Sequence, residues 1–422
     1  MGNYYDSSIG TRPQRPALAS AIDTQVCIVG AGFAGLATAL GLTDRGVTDV
    51  VVLDAERVGF GASGRNGGFV FGGYSLDCAD LLAQLGPERA KAAYALTREA
   101  VQLIRRRVAR HAIECELVEG GALLANWFDD EAILRRQQRL MQEHFDVQWR
   151  FVPKHELRHW VDSDRYSAAL LEPDAFHFHP LKYALGEAAA IESQGGRIFE
   201  GSRAVAIEAQ GGGMRVKTAG GSVHARHVVI AGGGYLARLV PALERAILPI
   251  ATYVMTTEPL GEALHALIPS RAAIYDTRFA FDYYRKLEDT RLLWGGRISV
   301  RDRQPDEIAR FLKRDMLRVF PSLYNAKIDH AWGGMMSYAR HKMPQIGHLP
   351  NGLWYGLAFG GHGVAPTTAA GELLAAAIAH GEPLPAAFER YGLPRTWRPA
   401  GLAAAQATYA WFQARDWWRE RR

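Results

Sequence analysis

The stretch VCIVGAGFAGLATALGLTDRGVTDVVVLD, Val26 to Asp54, decides the architecture. Its opening VCIV reads as a short buried strand. Gly30, Gly32 and Gly35 follow in G-x-G-x-x-G register. Apolar residues then recur at helical spacing as far as Gly46, a helix C-cap signal. A second strand, Val50 to Leu53, runs into Asp54, 24 residues after Gly30. Strand, glycine turn, helix, strand and carboxylate is the order of a dinucleotide-binding unit. Gly30 makes the tight turn, Gly32 admits a pyrophosphate to the backbone, and Gly35 lets helix and strand pack closely. The helix opens at Phe33 and Ala34, where free N–H groups and the dipole attract phosphate. Asp54, followed by Ala55, is expected to meet a ribose hydroxyl pair, which argues against a 2′-phosphate. The motif alone does not separate NAD from FAD.

The next segment bears on that choice. GFGASGRNGGFVFGG, Gly59 to Gly73, begins five residues after Asp54, where an NAD domain would run on into its next crossover. Seven of its fifteen residues are glycine, which rules out an ordinary helix or strand. Gly61, Ala62, Ser63, Arg65, Asn66, Gly67 and Gly68 are expected to face a ligand. Ser63, Arg65 and Asn66 would donate, while the glycines let the backbone wrap a second phosphate and lie under a flat ring. That favours FAD. The C-terminal part repeats the grammar: LWYGLAF is a strand pattern, GGHGV a glycine turn, and APTTAAGELLAAAIAHG a helix with Pro366 in its first turn and Gly381 as its stop.

GFGASGRNGG after VVVLDAERV resembles the D-amino-acid-oxidase-like FAD oxidoreductases, and most of all the branch containing γ-glutamylputrescine oxidase. Further segments resemble the same family in order: FHFHPLKYALGEAAAIESQGGRIFEG, HVVIAGGGYLARLVP, FDYYRKLEDTRLLWGGR, WGGMMSYARHKMPQIG and LWYGLAFGGHGVAPTTAAGELLAAAI. The resemblance implies an α/β fold with an α+β substrate domain. A Rossmann-type FAD domain of the glutathione-reductase-like type would be interleaved with a mixed-sheet substrate domain, as in D-amino acid oxidase and sarcosine oxidase. Residues 1–85, 155–235 and 335–400 would form the first, 86–154 and 236–334 the second, and 401–422 a helical tail.

The resemblance also implies a reaction. A hydride leaves the carbon next to an amine nitrogen, giving an imine that water hydrolyses. It adds Val205, Ala231, Gly232, Gly334, Gly360, Gly361, His362, Gly363 and Val364 to the FAD contacts, the last four at a helix N-terminus suited to negative charge on the flavin. FAD would be non-covalent, because methionines stand where some relatives carry the attaching cysteine. His362, Tyr283, Tyr284, Met336 and Arg340 are the candidate catalytic residues; strand alternation can set one tyrosine in the site and the other in the core. Tyr253 is a weaker candidate.

Met336 takes the place of an arginine that grips the carboxylate in amino-acid-oxidising relatives. Either the substrate lacks an α-carboxylate, as γ-glutamylputrescine does at its reacting end, or Arg340, His341, Arg285 or Arg278 replaces that arginine and a secondary amino acid such as L-pipecolate is oxidised. The hairpin LLWGGRIS carries Arg297 and no oxygen-assisting lysine, leaving O2 and an electron-transfer acceptor both open. A tRNA-modifying FAD oxidoreductase is a distant alternative, and a flavoprotein using FAD only as a structural core a third.

The totals exclude other classes. At 48% hydrophobic and 22% charged residues the chain reads as globular. No apolar run is long enough to span a bilayer, and no signal peptide or myristoylation pattern is read, Asp6 standing where the latter needs Ser or Thr. Cys27, Cys78 and Cys115 form no C-x-x-C, so a cytoplasmic setting is expected. The net charge of +5 is scattered and does not indicate nucleic acid. His177 and His179 lack a third ligand nearby, so no metal is expected, and His179-Pro180 reads as a helix start. The aromatic and basic tail YAWFQARDWWRERR can lie on a membrane or cap the protein's own core; capping is the favoured expectation, and membrane association stays open.

Overall fold

The computed structural model describes residues 2–421, so Met1 and the last arginine of the tail, Arg422, lie outside the described residues. The VCIV stretch closes the strand Ala21–Val29. On one side it pairs in parallel with Val50–Leu53, and that strand with Arg197–Phe199. On the other it pairs in parallel with Ser222–Ile230. The far half of Ser222–Ile230 takes Leu353–Leu357 in parallel, and Gln345–His348 closes that edge antiparallel. Its near half carries an antiparallel meander, Ala206–Gln210 with Gly213–Lys217. Parallel strands covered on both faces need apolar residues throughout, which is why VCIV and VVVL read as continuous runs.

The helix Phe33–Thr43 is buried along all eleven residues, as a helix apolar all round must be. It stops at Thr43, earlier than the spacing predicts, and Gly46 at φ +84° closes the turn that follows. This helix crosses Val364–His380 closely. A Cβ on Gly371 would overlap Ala37, and one on Gly41 would lie 2.9 Å from Ala375 Cβ. Val364–His380 carries Pro366 in its first turn and ends on left-handed Gly381, as its sequence predicts.

A second, mixed sheet stands against the first unit. Its strand order is Ile328–Tyr338, Leu248–Thr257, Leu292–Ser299, Asp282–Lys286, Ala273–Asp276, Ala122–Ala125, Ala168–Glu172, Arg150–Pro153. Several segments fall differently from the expected domain bounds, and two show why. Ala168–Glu172, placed above with the first domain, pairs into the second sheet. Pro87–Arg110, placed above with the second, packs on Val364–His380. The reason is the partner its apolar stripe finds: Ala93, Tyr94, Val101 and Ile104 join the first core, and Arg107 pairs with Glu372. Helical spacing reveals the stripe but not what covers it.

Glu172 ends its strand buried. Its Oε1 accepts the Gly72 N–H at 3.4 Å and its Oε2 has no hydrogen-bond partner. Burial pushes the carboxyl up to about 8. The unfolded chain gives up this proton in the ordinary carboxylate range, so the folded state loses stability as pH rises from there to about 8. Glu172→Gln is expected to remove that loss. Thermal unfolding should show the variant gaining several degrees over the parent at about pH 9 and little at about pH 5.

Candidate active site

A cavity of about 1490 Å³ opens at the carboxyl ends of the parallel strands and extends to the second sheet, where ligands of open α/β sheets bind. At one end its wall holds Gly30, Gly32, Phe33, Ala34, Asp54 and Ala55. Asp54 accepts the Ala31 N–H at 2.7 Å and the Glu56 N–H at 2.8 Å, which fixes its carboxylate at the strand end. Burial raises its pKa against those two bonds. Gly30 sits at φ +115°, and a Cβ there would lie 2.6 Å from the Ala231 carbonyl oxygen. Gly35 is not on the wall; its Cβ would overlap the Gly30 carbonyl, so its smallness serves helix packing. Val205, Ala231 and Gly232 line the same end.

The glycine loop joins this end to the second sheet. The Phe33 N–H donates to Ser63 Oγ at 2.9 Å, linking the loop to the helix N-terminus. Gly61, Ala62, Ser63, Arg65, Asn66 and Gly67 reach the cavity. Asn66 is not a free donor: its Nδ2 donates to the Ala62 and Ser63 carbonyls, and its Oδ1 accepts the Gly68 N–H at 2.8 Å. It staples the loop. Gly68 lies behind the wall, because the Phe178 carbonyl fills the place a Cβ would need. Gly67, on the wall, also makes room inside the protein. The space a Cβ would take there holds the ring of Tyr283, not a flat ligand, and Gly295 makes the same room from the other side of that ring. Tyr283 thus stands in a slot between two glycines and lines the cavity.

Tyr284, its neighbour, does not. It stacks on Trp294 at 4.5 Å and its hydroxyl bonds Tyr166 at 3.1 Å, both within the second core. Strand alternation separates the two tyrosines. Tyr253 also packs in the core, its ring edge on Phe311 and its hydroxyl donating to the Arg301 carbonyl.

At the other end the wall holds Gly334, Met336, Gly360, Gly361, His362, Gly363 and Val364. The N-terminus of Val364–His380 therefore opens into the same cavity as that of Phe33–Thr43. Ser75, unmarked by any motif, accepts the His362 N–H at 3.2 Å and donates to the Phe359 carbonyl at 3.1 Å. Burial pulls the His362 imidazole down to about 4, so it is neutral near pH 7. Its ring stands edge-on to Phe71 at 4.3 Å, and Phe71 stacks on Tyr275 at 5.6 Å. Phe71, Tyr275 and Phe281 complete an aromatic wall that sequence reading missed. The F-x-F alternation in GGFVFGG is its one local trace.

The candidate cations divide. Arg285 is buried behind the wall and donates to the Gly67 carbonyl at 2.7 Å and the Phe178 carbonyl at 2.8 Å. His341 turns away onto Tyr391. Arg278 does reach the cavity, paired at 2.6 Å with both Asp276 and Asp282. Arg297 is paired with Asp315 through two bonds. Arg340 lies exposed at the rim beside Lys342. His177 and His179 are not a metal pair: His179 Nδ1 accepts the Lys182 N–H at 3.1 Å and caps the helix Pro180–Ser193. Among the described residues no group of three metal-ligating side chains occurs.

Two helix N-termini, a strand-end carboxylate and a glycine-lined floor along one long cavity fit FAD. Gly30→Ala, clashing with backbone, is expected to yield protein without flavin. Gly67→Ala, displacing side-chain rings and chiefly that of Tyr283, is expected to keep flavin but slow its reduction by substrate about tenfold. Flavin-to-protein absorbance ratios and anaerobic reduction rates separate the two outcomes.

The family described as FAD dependent oxidoreductase matches residues 25–377. The chain is 38% identical over 375 residues to gamma-glutamylputrescine oxidoreductase of Escherichia coli, covering 88% of each. It is 33% identical to a probable oxidoreductase of Haemophilus influenzae, over 93% of this chain and 91% of the other. In fold it is similar to glycine oxidase from Geobacillus kaustophilus, with TM-score 0.75 and 21% identity over 88% of this chain and 99% of that one. L-proline dehydrogenase from P. horikoshii is similar too, with TM-score 0.73 and 19% identity over 89% and 100%. With this cavity and these relatives, the chain belongs to the FAD-dependent oxidoreductase family and takes FAD as its cofactor.

Proposed function

We propose that this enzyme oxidises the C–N bond of an amine whose reacting end carries no carboxylate, of the γ-glutamylputrescine type. One observation carries the reading: the two arginines that the second sheet and its loops bring to the wall, Arg278 and Arg297, are already satisfied by carboxylates, while Arg65 of the glycine loop donates to the Gly333 carbonyl at 3.2 Å. Arg278 faces two, Asp276 and Asp282, and Arg297 faces Asp315. An L-pipecolate carboxylate bound at Arg278 or Arg297 would have to open one of these pairs, at the cost of leaving a carboxylate unpaired. Phe71, Tyr275, Phe281 and Tyr283 instead offer ring faces to methylenes and to an ammonium. The relative from Escherichia coli, named for γ-glutamylputrescine, supports the same class.

Bound FAD supplies the hydride acceptor. The protein's part is placement and charge. The N-terminus of Val364–His380 brings a fixed positive end to the cavity. His362, held down to about 4, adds no competing cation beside the amine near pH 7. Arg340 and Lys342 at the rim are placed to meet a carboxylate at the distal end of a long substrate.

In an anaerobic panel, γ-glutamylputrescine is expected to bleach the flavin and L-pipecolate is not; the reverse result would overturn the proposal. Re-oxidation in air then tells O2 from another acceptor. Arg340→Gln should raise KM for γ-glutamylputrescine roughly tenfold with kcat little changed. The pH profile of reduction should follow the substrate amine and keep its midpoint in His362→Asn, since this imidazole titrates near 4.

A further inference from the structure

The family match ends at residue 377, and the helix Ala400–Arg419 lies beyond it. Its inner face is fully used. Tyr409 accepts the Ile298 N–H at 3.1 Å, Phe412 stacks on Phe279 at 4.2 Å, and Asp416 accepts the Phe279 N–H at 2.8 Å. Glu420, just past the helix, pairs with Arg165 and Arg318. Gly401, Ala405 and Gln406 line the cavity. So the tail caps the second sheet, and both of its acidic groups point inward.

What remains outward is apolar and cationic. At 3.6 residues per turn, Ala403, Ala407, Ala410, Trp411, Ala414 and Trp417 share about a third of the circumference. Trp411 is 69% exposed, Trp417 53% and Trp418 60%. Trp397, just before the helix, is 64% exposed at the cavity edge. Arg421 lies over the Trp417 ring at 3.7 Å, and Arg415 flanks the stripe with its guanidinium over the Phe412 ring at 4.5 Å. Arg419 pairs with Asp130 of a neighbouring loop at 3.1 Å, but the helix itself turns exposed tryptophans and arginines outward and no carboxylate, the chemistry of an anionic lipid interface. A second copy fits less well, since a two-fold contact would set this cationic face against itself.

We infer that the outer face of the C-terminal helix docks the enzyme on an anionic phospholipid surface, lying on it and not through it. No helix among the described residues is long and apolar enough to cross a membrane. Docked this way, one helix separates the headgroups from the cavity. The inference is independent of which amine is oxidised.

Flotation of the flavin-loaded enzyme with vesicles tests it. Binding to phosphatidylcholine vesicles containing phosphatidylglycerol is expected to exceed that to phosphatidylcholine alone by roughly tenfold or more, and to weaken with salt. Arg415→Glu with Arg421→Glu should remove the preference for phosphatidylglycerol. Trp411→Ser with Trp417→Ser should weaken binding and abolish the blue shift of tryptophan emission. All four side chains are exposed, so flavin content and amine-dependent bleaching in solution should not change. Absence of binding to either vesicle, or binding that the four substitutions leave intact, would overturn the inference. So would light scattering showing that they only convert a dimer to a monomer.

Discussion

The buried guanidinium of Arg285 holds the two halves of the site in register. It starts on a strand of the second sheet and ends on two carbonyls of the first unit, those of Gly67 and Phe178. The Tyr5 hydroxyl, 3.4 Å away, donates in turn to the Asn66 carbonyl at 2.9 Å, so the N-terminal segment joins the same knot. Buried carbonyls without donors cost about 1–3 kcal/mol each. A planar fork with several fixed donors can satisfy them together where lysine cannot. Because Tyr283 lies two residues before Arg285, that bond also sets the depth of the aromatic ring in its glycine slot.

The same economy governs charge inside the cavity. The cluster of Arg278 with Asp276 and Asp282 carries more acid than base. Burial raises the Asp282 carboxyl to about 7, against the pull of Arg278. Arg278 is held well above its ordinary value by the two carboxylates, against burial. The two arginines of the second sheet therefore bring no unpaired positive charge to the wall, and Arg340 and Lys342 stand at the rim. The division suits a long amine that enters nitrogen first.

Much of the nucleotide end was legible in the primary structure, because its requirements are local. Gly30, Gly32, Asp54 and the helix signals at Pro366 and Gly381 act through their own backbone or near neighbours. The further roles of Gly67, Gly68, Asn66 and Arg285 were not legible for the opposite reason. Their partners, Tyr283, the Phe178 carbonyl and the loop's own backbone, come from distant segments or from a turn geometry that residue types alone do not specify. Tyr283 and Tyr284 could be told apart in principle by alternation, yet only pairing in the sheet decides which face is the cavity.

By itself the sequence determined the cofactor class and the Rossmann-type unit, because glycine turns, a terminal carboxylate and apolar periodicity are short-range constraints on one chain segment. The tertiary structure alone decided which arginines are already neutralised, which aromatic rings line the cavity, and that the tail is two-faced. Those are properties of packing between segments far apart in the chain, where a side chain's chemistry depends on the partner that folding brings to it.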